Sequence, residues 1–321
     1  MIPKSKIFKV AAVQASPVFL DREATVEKAC DLIGEAGQNS AKLVVFPEAF
    51  IPTYPDWVWV VPPSRSTLLN ELYAELLDHS VSIPDETTTK LCQAAKKAKI
   101  HVIIGLNERN VEASNATLYN TMLFIDSSGS ILGKHRKLVP TGAERLVWAQ
   151  GDGSTLQVFE TSLGKLGGLI CWENYMPLAR YVMYSWGTQL YAAPTWDSGE
   201  SWHTALRHIA REGGMFVIGC CIAQKMEDIP EKYEFKNLYP AGKTWINSGN
   251  SCIINPKGEY IAGPLEKEEG TLYAEIDLDL IAASKWIFDA AGHYARPDVF
   301  KFSVNRQPND MMRTIEMSEG D

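Results

Sequence analysis

Cys171 stands in Gly167-Gly-Leu-Ile-Cys171-Trp-Glu-Asn-Tyr-Met-Pro177, at the exit of an apolar run and six residues before a proline that suits a first helical turn. A cysteine on a strand-to-helix turn has the geometry of a nucleophile elbow. The two glycines permit close backbone approach, and helix-end amides with a nearby lysine are expected to lower the thiol pKa toward thiolate. The competing reading is a core cysteine without chemistry, and Cys30, Cys92, Cys220, Cys221 and Cys252, which fall inside elements, are read that way.

Two further segments carry charge where chemistry can use it. In Phe46-Pro-Glu48-Ala-Phe50 a carboxylate follows a buried apolar strand, so burial should raise its pKa toward the range of a general base. The alternative is a strand-end glutamate capping a helix. In Gly133-Lys-His-Arg-Lys137 four cationic or potentially cationic residues follow one another. Such a run is usually a solvated face, but after a strand Lys137 can turn into a pocket, where an ammonium stabilises developing negative charge. Glu144, seven residues on, can orient that lysine or the nucleophile.

Other chemistries lack their residues. His79 and His101 lie outside these segments, His135 is two residues from Lys137, and His203 and His208 are spaced i, i+5, not the i, i+4 of the helical zinc motif. None of the six cysteines makes a C-x-x-C pair, so no metal site is expected, and Gly151-Asp-Gly153 lacks the strand and helix of a phosphate loop.

The elements that must position these residues alternate. Strands are expected at Ile7 to Ala15, Leu43 to Phe46, Val102 to Leu106, Leu118 to Ile125 and Ile131 to Lys134, with helices at Glu23 to Ala36, Leu68 to Leu77 and Glu86 to Ala98. The second half continues with strands at Gly167 to Ile170, Gln189 to Ala193, Phe216 to Ile222, Ser251 to Ile254, Gly258 to Ile261 and Leu272 to Glu275. Its helices are Pro177 to Ser185 and Glu200 to Arg211. Asp126-Ser-Ser-Gly129 and Asn255-Pro-Lys-Gly258 are hairpin turns. This is α/β architecture. Glu48, Lys137 and Cys171 must meet in one pocket, so residues 4–300 are expected to form one domain, with 301–321 a partly flexible tail.

Composition narrows the class. The 321 residues carry a net charge of −8 and are 45% hydrophobic, which excludes a disordered chain or a disulfide scaffold and gives no general attraction to nucleic acid or anionic membranes. The cysteine pattern and the absence of a signal-peptide core point to a reducing, cytoplasmic compartment.

Taken in order, 89 and 34 residues apart, the three segments resemble the catalytic regions of the nitrilase superfamily of carbon-nitrogen hydrolases, and the resemblance runs from Val10 to about Val299. Cys171-Trp-Glu-Asn174, His135-Arg-Lys-Leu-Val-Pro-Thr141 and Trp148-Ala-Gln-Gly-Asp-Gly153 look like the nitrilase branch, and Ala193-Pro-Thr-Trp-Asp197 is similar to plant-type members. The resemblance implies a four-layer αββα sandwich. It implies Cys171 as nucleophile, Lys137 as electrophilic stabiliser, Glu48 as general base and Glu144 as a positioning glutamate. It implies hydrolysis of a small-molecule nitrile to acid and ammonia with no metal or organic cofactor, in a homo-oligomer. Amidase, nitrile-hydrating or cyanide-hydrolysing activity, and a silent scaffold, are the alternatives. Tyr54, Trp57, Trp172, Thr195 and Trp196 are expected to line the substrate site, and for Trp57 and Trp59 packing over the core is an equal reading.

Overall fold

In a computed structural model, residues 7–112 and 114–309 are described. Thirteen strands and six α-helices follow one another as β1 Ile7–Gln14, α1 Arg22–Gln38, β2 Ala41–Val45, α2 Ser66–Asp78, α3 Glu86–Ala98, β3 His101–Arg109, β4 Leu118–Ile125 and β5 Ile131–Arg136. Then come β6 Phe159–Thr161, β7 Gly164–Gly168, α4 Pro177–Ser185, β8 Leu190–Thr195, α5 Glu200–Gly213, β9 Phe216–Cys221, β10 Ala223–Lys225, β11 Trp245–Ile254, β12 Tyr260–Glu266, β13 Gly270–Asp277 and α6 Asp279–Lys285.

Two sheets form. One has the order β13-β1-β2-β3-β4-β5, the other β10-β11-β9-β8-β7-β6 with β12 beside β11. β1, β2 and β3 run parallel, as do β7, β8 and β9. Side-chain alternation along these buried strands separates the layers. Val10 and Ala12 face a core shared with Ile170, Leu190, Phe216 and Ile253 of the other sheet, while Ala11 and Val13 pack with Val26, Ala29 and Ile33 of α1 and Leu91 and Ala95 of α3. On the far side, Tyr191, Ala193 and Val217 pack with Val182 of α4 and Leu206 and Ile209 of α5. The result is the αββα sandwich.

Local signals set the element ends. Asp21 caps α1 by accepting from Ala24 N at 2.9 Å, Asp85 and Thr88 form a capping box on α3, and Gly214 closes α5 at φ 55°. Both expected hairpins form, each with its glycine at positive φ. β11 begins six residues before the expected Ser251, because Gly249 and Asn250 adopt positive φ inside the strand rather than ending it. The part of the expected tail within the described residues packs on the body: Phe302 meets Tyr181 edge-on, Arg306 lies over Trp186, and Asn309 N donates to Asp152 at 2.7 Å. Residues 310–321 and 4–6 lie outside the described residues. No described helix is long and apolar enough to cross a membrane.

Candidate active site

Parallel α/β sheets expose backbone and side chains at the carboxyl ends of their strands. Here those ends carry the chemistry: Glu48 follows β2, Lys137 follows β5, Cys171 follows β7, and Thr195 and Trp196 end β8. Cys171, at φ 52°, opens the 3-10 turn Cys171–Tyr175 that leads from β7 into α4, so the elbow expected from sequence forms with Cys171 in a strained conformation. Ala49, just after Glu48, also has positive φ, at 48°. Gly105 makes this bend possible, because a Cβ there would lie 2.2 Å from Pro47 O and 2.5 Å from the Glu48 Cα.

The run of cations is split by the pleat of β5. Lys134 and Arg136 turn to one side and bind the buried Glu108, while His135 and Lys137 turn to the other. Lys137 Nζ donates to Glu144 Oε2 at 2.7 Å and to Glu48 Oε2 at 3.4 Å, and all three side chains are buried. Glu48 also accepts from Asn120 Nδ2 at 2.7 Å and from Trp196 N at 2.5 Å. Glu144 accepts from Thr141 N at 2.7 Å and from Tyr54 Oη at 2.8 Å. Thr195 Oγ1 donates to Cys171 Sγ at 3.3 Å. Donor atoms of Glu48, Glu144 and Cys171 lie within 4.8 Å of one another, a spacing that can bracket a cation, and the Lys137 ammonium is the cation hydrogen-bonded there.

Burial governs the proton affinities. It pushes the Glu48 carboxyl up, against the pull of Lys137 and with the help of Glu144, as sequence reasoning expected. It also pushes the Cys171 thiol well up, and the Glu48 charge adds to that more than Lys137 subtracts. The direction is opposite to the lowered thiol pKa expected from sequence: desolvation and the Glu48 charge outweigh the nearby lysine. Burial opposes the Lys137 charge, but Glu48, Cys171 and Glu144 together hold it firmly protonated.

Of the residues expected to line the pocket, four are brought to this cluster. Tyr54 bonds Glu144 and stacks on Trp196 at 4.3 Å, Thr195 bonds the sulfur, and Trp172, half exposed beside the nucleophile, donates to Asp197 at 2.8 Å. Trp57 is not: its ring is buried in the core against Phe19 and Phe235. Residues 56–59 form a 3-10 turn that sends Trp57 inward, whereas Trp59 stays half exposed and donates to Tyr54 Oη at 3.1 Å. Cys171 is only 4% exposed.

Sequence reasoning missed two buried residues. Glu173 accepts from the backbone amides of Ile170 and Leu138, and His135 Nε2 lies 3.0 Å from it. The signal was present in a charged residue inside an otherwise apolar elbow, but its partners are known only once the sheets pack.

A buried thiol beside a carboxylate and a fixed ammonium fits the residue types that a cysteine-dependent hydrolase uses. The comparisons give the family: the carbon-nitrogen hydrolase model matches residues 9–285, and the chain belongs to that family. It is 40% identical to nitrilase 2 of Arabidopsis thaliana, covering 99% of this chain and 94% of that protein. It is 42% identical to an aliphatic nitrilase of Sinorhizobium fredii (96% and 98% covered) and 41% identical to a bifunctional nitrilase/nitrile hydratase of Lupinus angustifolius (94% and 87%). Among solved structures, a carbon-nitrogen hydrolase from Helicobacter pylori superposes with a TM-score of 0.69 at 24% identity, over 92% of this chain and 97% of that one. An amidase from Nesterenkonia sp. gives 0.64 at 20% identity, over 86% and 92%. These two support the fold.

Proposed function

We propose that the protein is a nitrilase, converting a small-molecule nitrile and two waters to a carboxylic acid and ammonia. The observation that carries this reading is the Lys137 ammonium, buried between Glu48 and Glu144 beside the Cys171 sulfur. Attack on a nitrile carbon places charge on nitrogen, and this fixed cation meets that charge, with the Trp172 amide at the first turn after the nucleophile as a second donor. Glu48 takes the thiol proton during attack and delivers it to the nitrogen, giving a thioimidate. It then activates a water that adds to the thioimidate carbon. Loss of ammonia leaves a thioester, and a second activated water releases the acid. Glu144 holds Lys137 in place.

Trp59 and Trp172, each about half exposed close to this cluster, offer aromatic surface that would suit aromatic, arylaliphatic or aliphatic nitriles. Relatives at about 40% identity named as nitrilases support the reaction, one named as an aliphatic nitrilase supports the aliphatic class, and the bifunctional relative makes partial hydration to an amide the second reading. We further propose a homo-oligomer. Trp286, Ile287 and Phe300 expose 76%, 62% and 72% of their surface, apolar area that a second copy of the chain would cover. In the stretch from Met226 to Lys243, Ile229, Tyr233, Phe235 and Tyr239 pack into the core. Light scattering that shows a monomer at high concentration would overturn the oligomer.

The deciding experiment is a panel of aromatic, arylaliphatic and aliphatic nitriles, cyanide and amides, scored for acid, amide and ammonia in the wild type and Cys171→Ala. We expect acid and ammonia from nitriles in the wild type only. Faster turnover of amides, or activity retained in Cys171→Ala, would sink the reading.

A further inference from the structure

Lys137 and Cys171 come from different sheets, yet the chemistry needs their ammonium and sulfur at a fixed separation. β5 is the edge strand of one sheet and β7 lies in the other, and the layer between them is apolar. Apolar packing is non-directional and resists sliding only through shape. A directional tie at the site comes from one carboxylate. Glu173, fully buried, accepts from Leu138 N at 2.5 Å and from Ile170 N at 2.7 Å, with His135 Nε2 3.0 Å away. Leu138 and His135 flank the lysine along the chain, and Ile170 immediately precedes the nucleophile. His135 is itself anchored, its Nδ1 lying 3.3 Å from Thr155 O.

We propose that Glu173, together with His135, is a positioning residue that sets the placement of the Lys137 ammonium against the Cys171 sulfur and thereby decides which bond of the tetrahedral intermediate breaks. This rests on the nitrilase reading above. After the first water adds, the carbon bears R, OH, NH2 and the Cys171 sulfur. If the C–N bond breaks, the hydroxyl proton passes to the departing amine, ammonia leaves and a thioester remains. If the C–S bond breaks, that proton passes to sulfur, the thiol is restored and an amide leaves. Both routes balance without any further reactant. The choice depends on which leaving atom the charged groups around Lys137 favour, and so on where Lys137 stands.

Glu173→Gln tests the tie with little change of shape. Two backbone N–H groups and His135 Nε2 converge on the carboxylate, whereas a glutamine offers one oxygen and an NH2 that must face a donor. His135→Leu removes the side-chain contact, and His135→Gln can restore a polar group near the position of Nε2. Each variant is assayed with benzonitrile, phenylacetonitrile and butyronitrile for the acid-to-amide ratio, for KM, and for kcat per Cys171 thiol titrated with iodoacetamide and located by peptide mass mapping. The product ratio does not depend on how much protein is folded. The expected result for Glu173→Gln is a threefold or greater rise in the amide fraction, with kcat per titrated thiol down about ten- to a hundred-fold, the scale of a displacement of about 1 Å, and KM within twofold. His135→Leu should move the same way and His135→Gln should return toward wild type. A wild-type ratio and kcat per thiol in Glu173→Gln would overturn the proposal, as would identical behaviour of His135→Leu and His135→Gln. The histidine pair decides the matter alone if Glu173→Gln does not fold. A wild type inactive on every nitrile would instead sink the nitrilase reading itself.

Discussion

Replacing Lys137 by methionine keeps a long unbranched side chain and deletes its charge. The ammonium lies 2.7 Å from Glu144 and 3.4 Å from Glu48, and the Lys137, Glu144 and Glu48 side chains are 0%, 2% and 0% exposed. At an effective dielectric near 20, opposite unit charges about 3 Å apart attract by about 5 kcal/mol. Lost hydration of the buried ions offsets much of that, so the pair energy is not what the variant forfeits. It forfeits the partner of two carboxylates that remain buried, and stripping a buried ion of its partner costs about 3–5 kcal/mol. That is a large share of the roughly 5–15 kcal/mol that holds a protein folded.

The loss should depend on pH with a definite sign. Burial and Glu144 raise the Glu48 pKa, and Lys137 is the main opposing influence, so in Lys137→Met the folded-state pKa moves further above the unfolded value. A group so shifted binds more protons in the folded state, and its contribution to stability falls as pH rises through the shifted pKa. Urea unfolding at fixed protein concentration should therefore show the deficit of Lys137→Met largest at pH 8 and shrinking toward pH 5. Ammonia release should fall at least 10²–10³-fold, the scale for losing one preorganised donor. A deficit under 1 kcal/mol at pH 8, or one equal at both ends of the range, would refute the account of Lys137 as the counter-ion of this cluster.

Three further outcomes are expected. Glu48→Gln should lower kcat about 10²–10⁴-fold; because the folded protein holds the Glu48 pKa up, the acid limb of wild-type kcat/KM should lie above the ordinary carboxylate range, and a limb inside that range would contradict it. Gly105→Ala drives a Cβ into Pro47 O and the Glu48 Cα, so it should cost about 1–3 kcal/mol by thermal unfolding and about 10²-fold in kcat; wild-type turnover would show that Glu48 tolerates the shift. Tyr54→Phe deletes the 2.8 Å bond to Glu144 and the acceptor of Trp59 Nε1, for an expected loss of about 1.5–3 kcal/mol in stability and about tenfold in kcat, checked by unfolding and steady-state assays.

Glu48, Lys137 and Cys171 each stand just past a strand end, but their segments were inconclusive one by one, and the expected roles came from the resemblance of the three in order. The αββα layers were implied by family resemblance and not by periodicity, since strands buried on both faces read as continuous apolar runs. What escaped sequence reasoning has physical causes. β6 and β10, three residues each, are too short to show a period, and α6 has only seven residues. Packing and lining were equal readings for Trp57 and Trp59, and the 3-10 turn that carries them separates the two, Trp57 inward and Trp59 half exposed. Glu173 and His135 lie 38 residues apart and meet only when the two sheets stack.

The direction of the Cys171 thiol is the most instructive failure, because a lysine close by in space does not make a thiolate. The raised pKa measures loss of the proton to water, which leaves an added negative charge in a buried cluster that already holds Glu48 and Glu144 against one Lys137. With a thiol the cluster carries −1; with the proton lost to solvent it carries −2, and desolvation penalises that state. Passing the proton from Cys171 to Glu48 keeps the total at −1. The same burial that lifts the thiol lifts the Glu48 carboxyl, so the two proton affinities shift in the same direction. On the proposed mechanism the proton would pass from Cys171 to Glu48 as the sulfur attacks, and the ammonium held by the two carboxylates would meet the charge that develops on the substrate nitrogen.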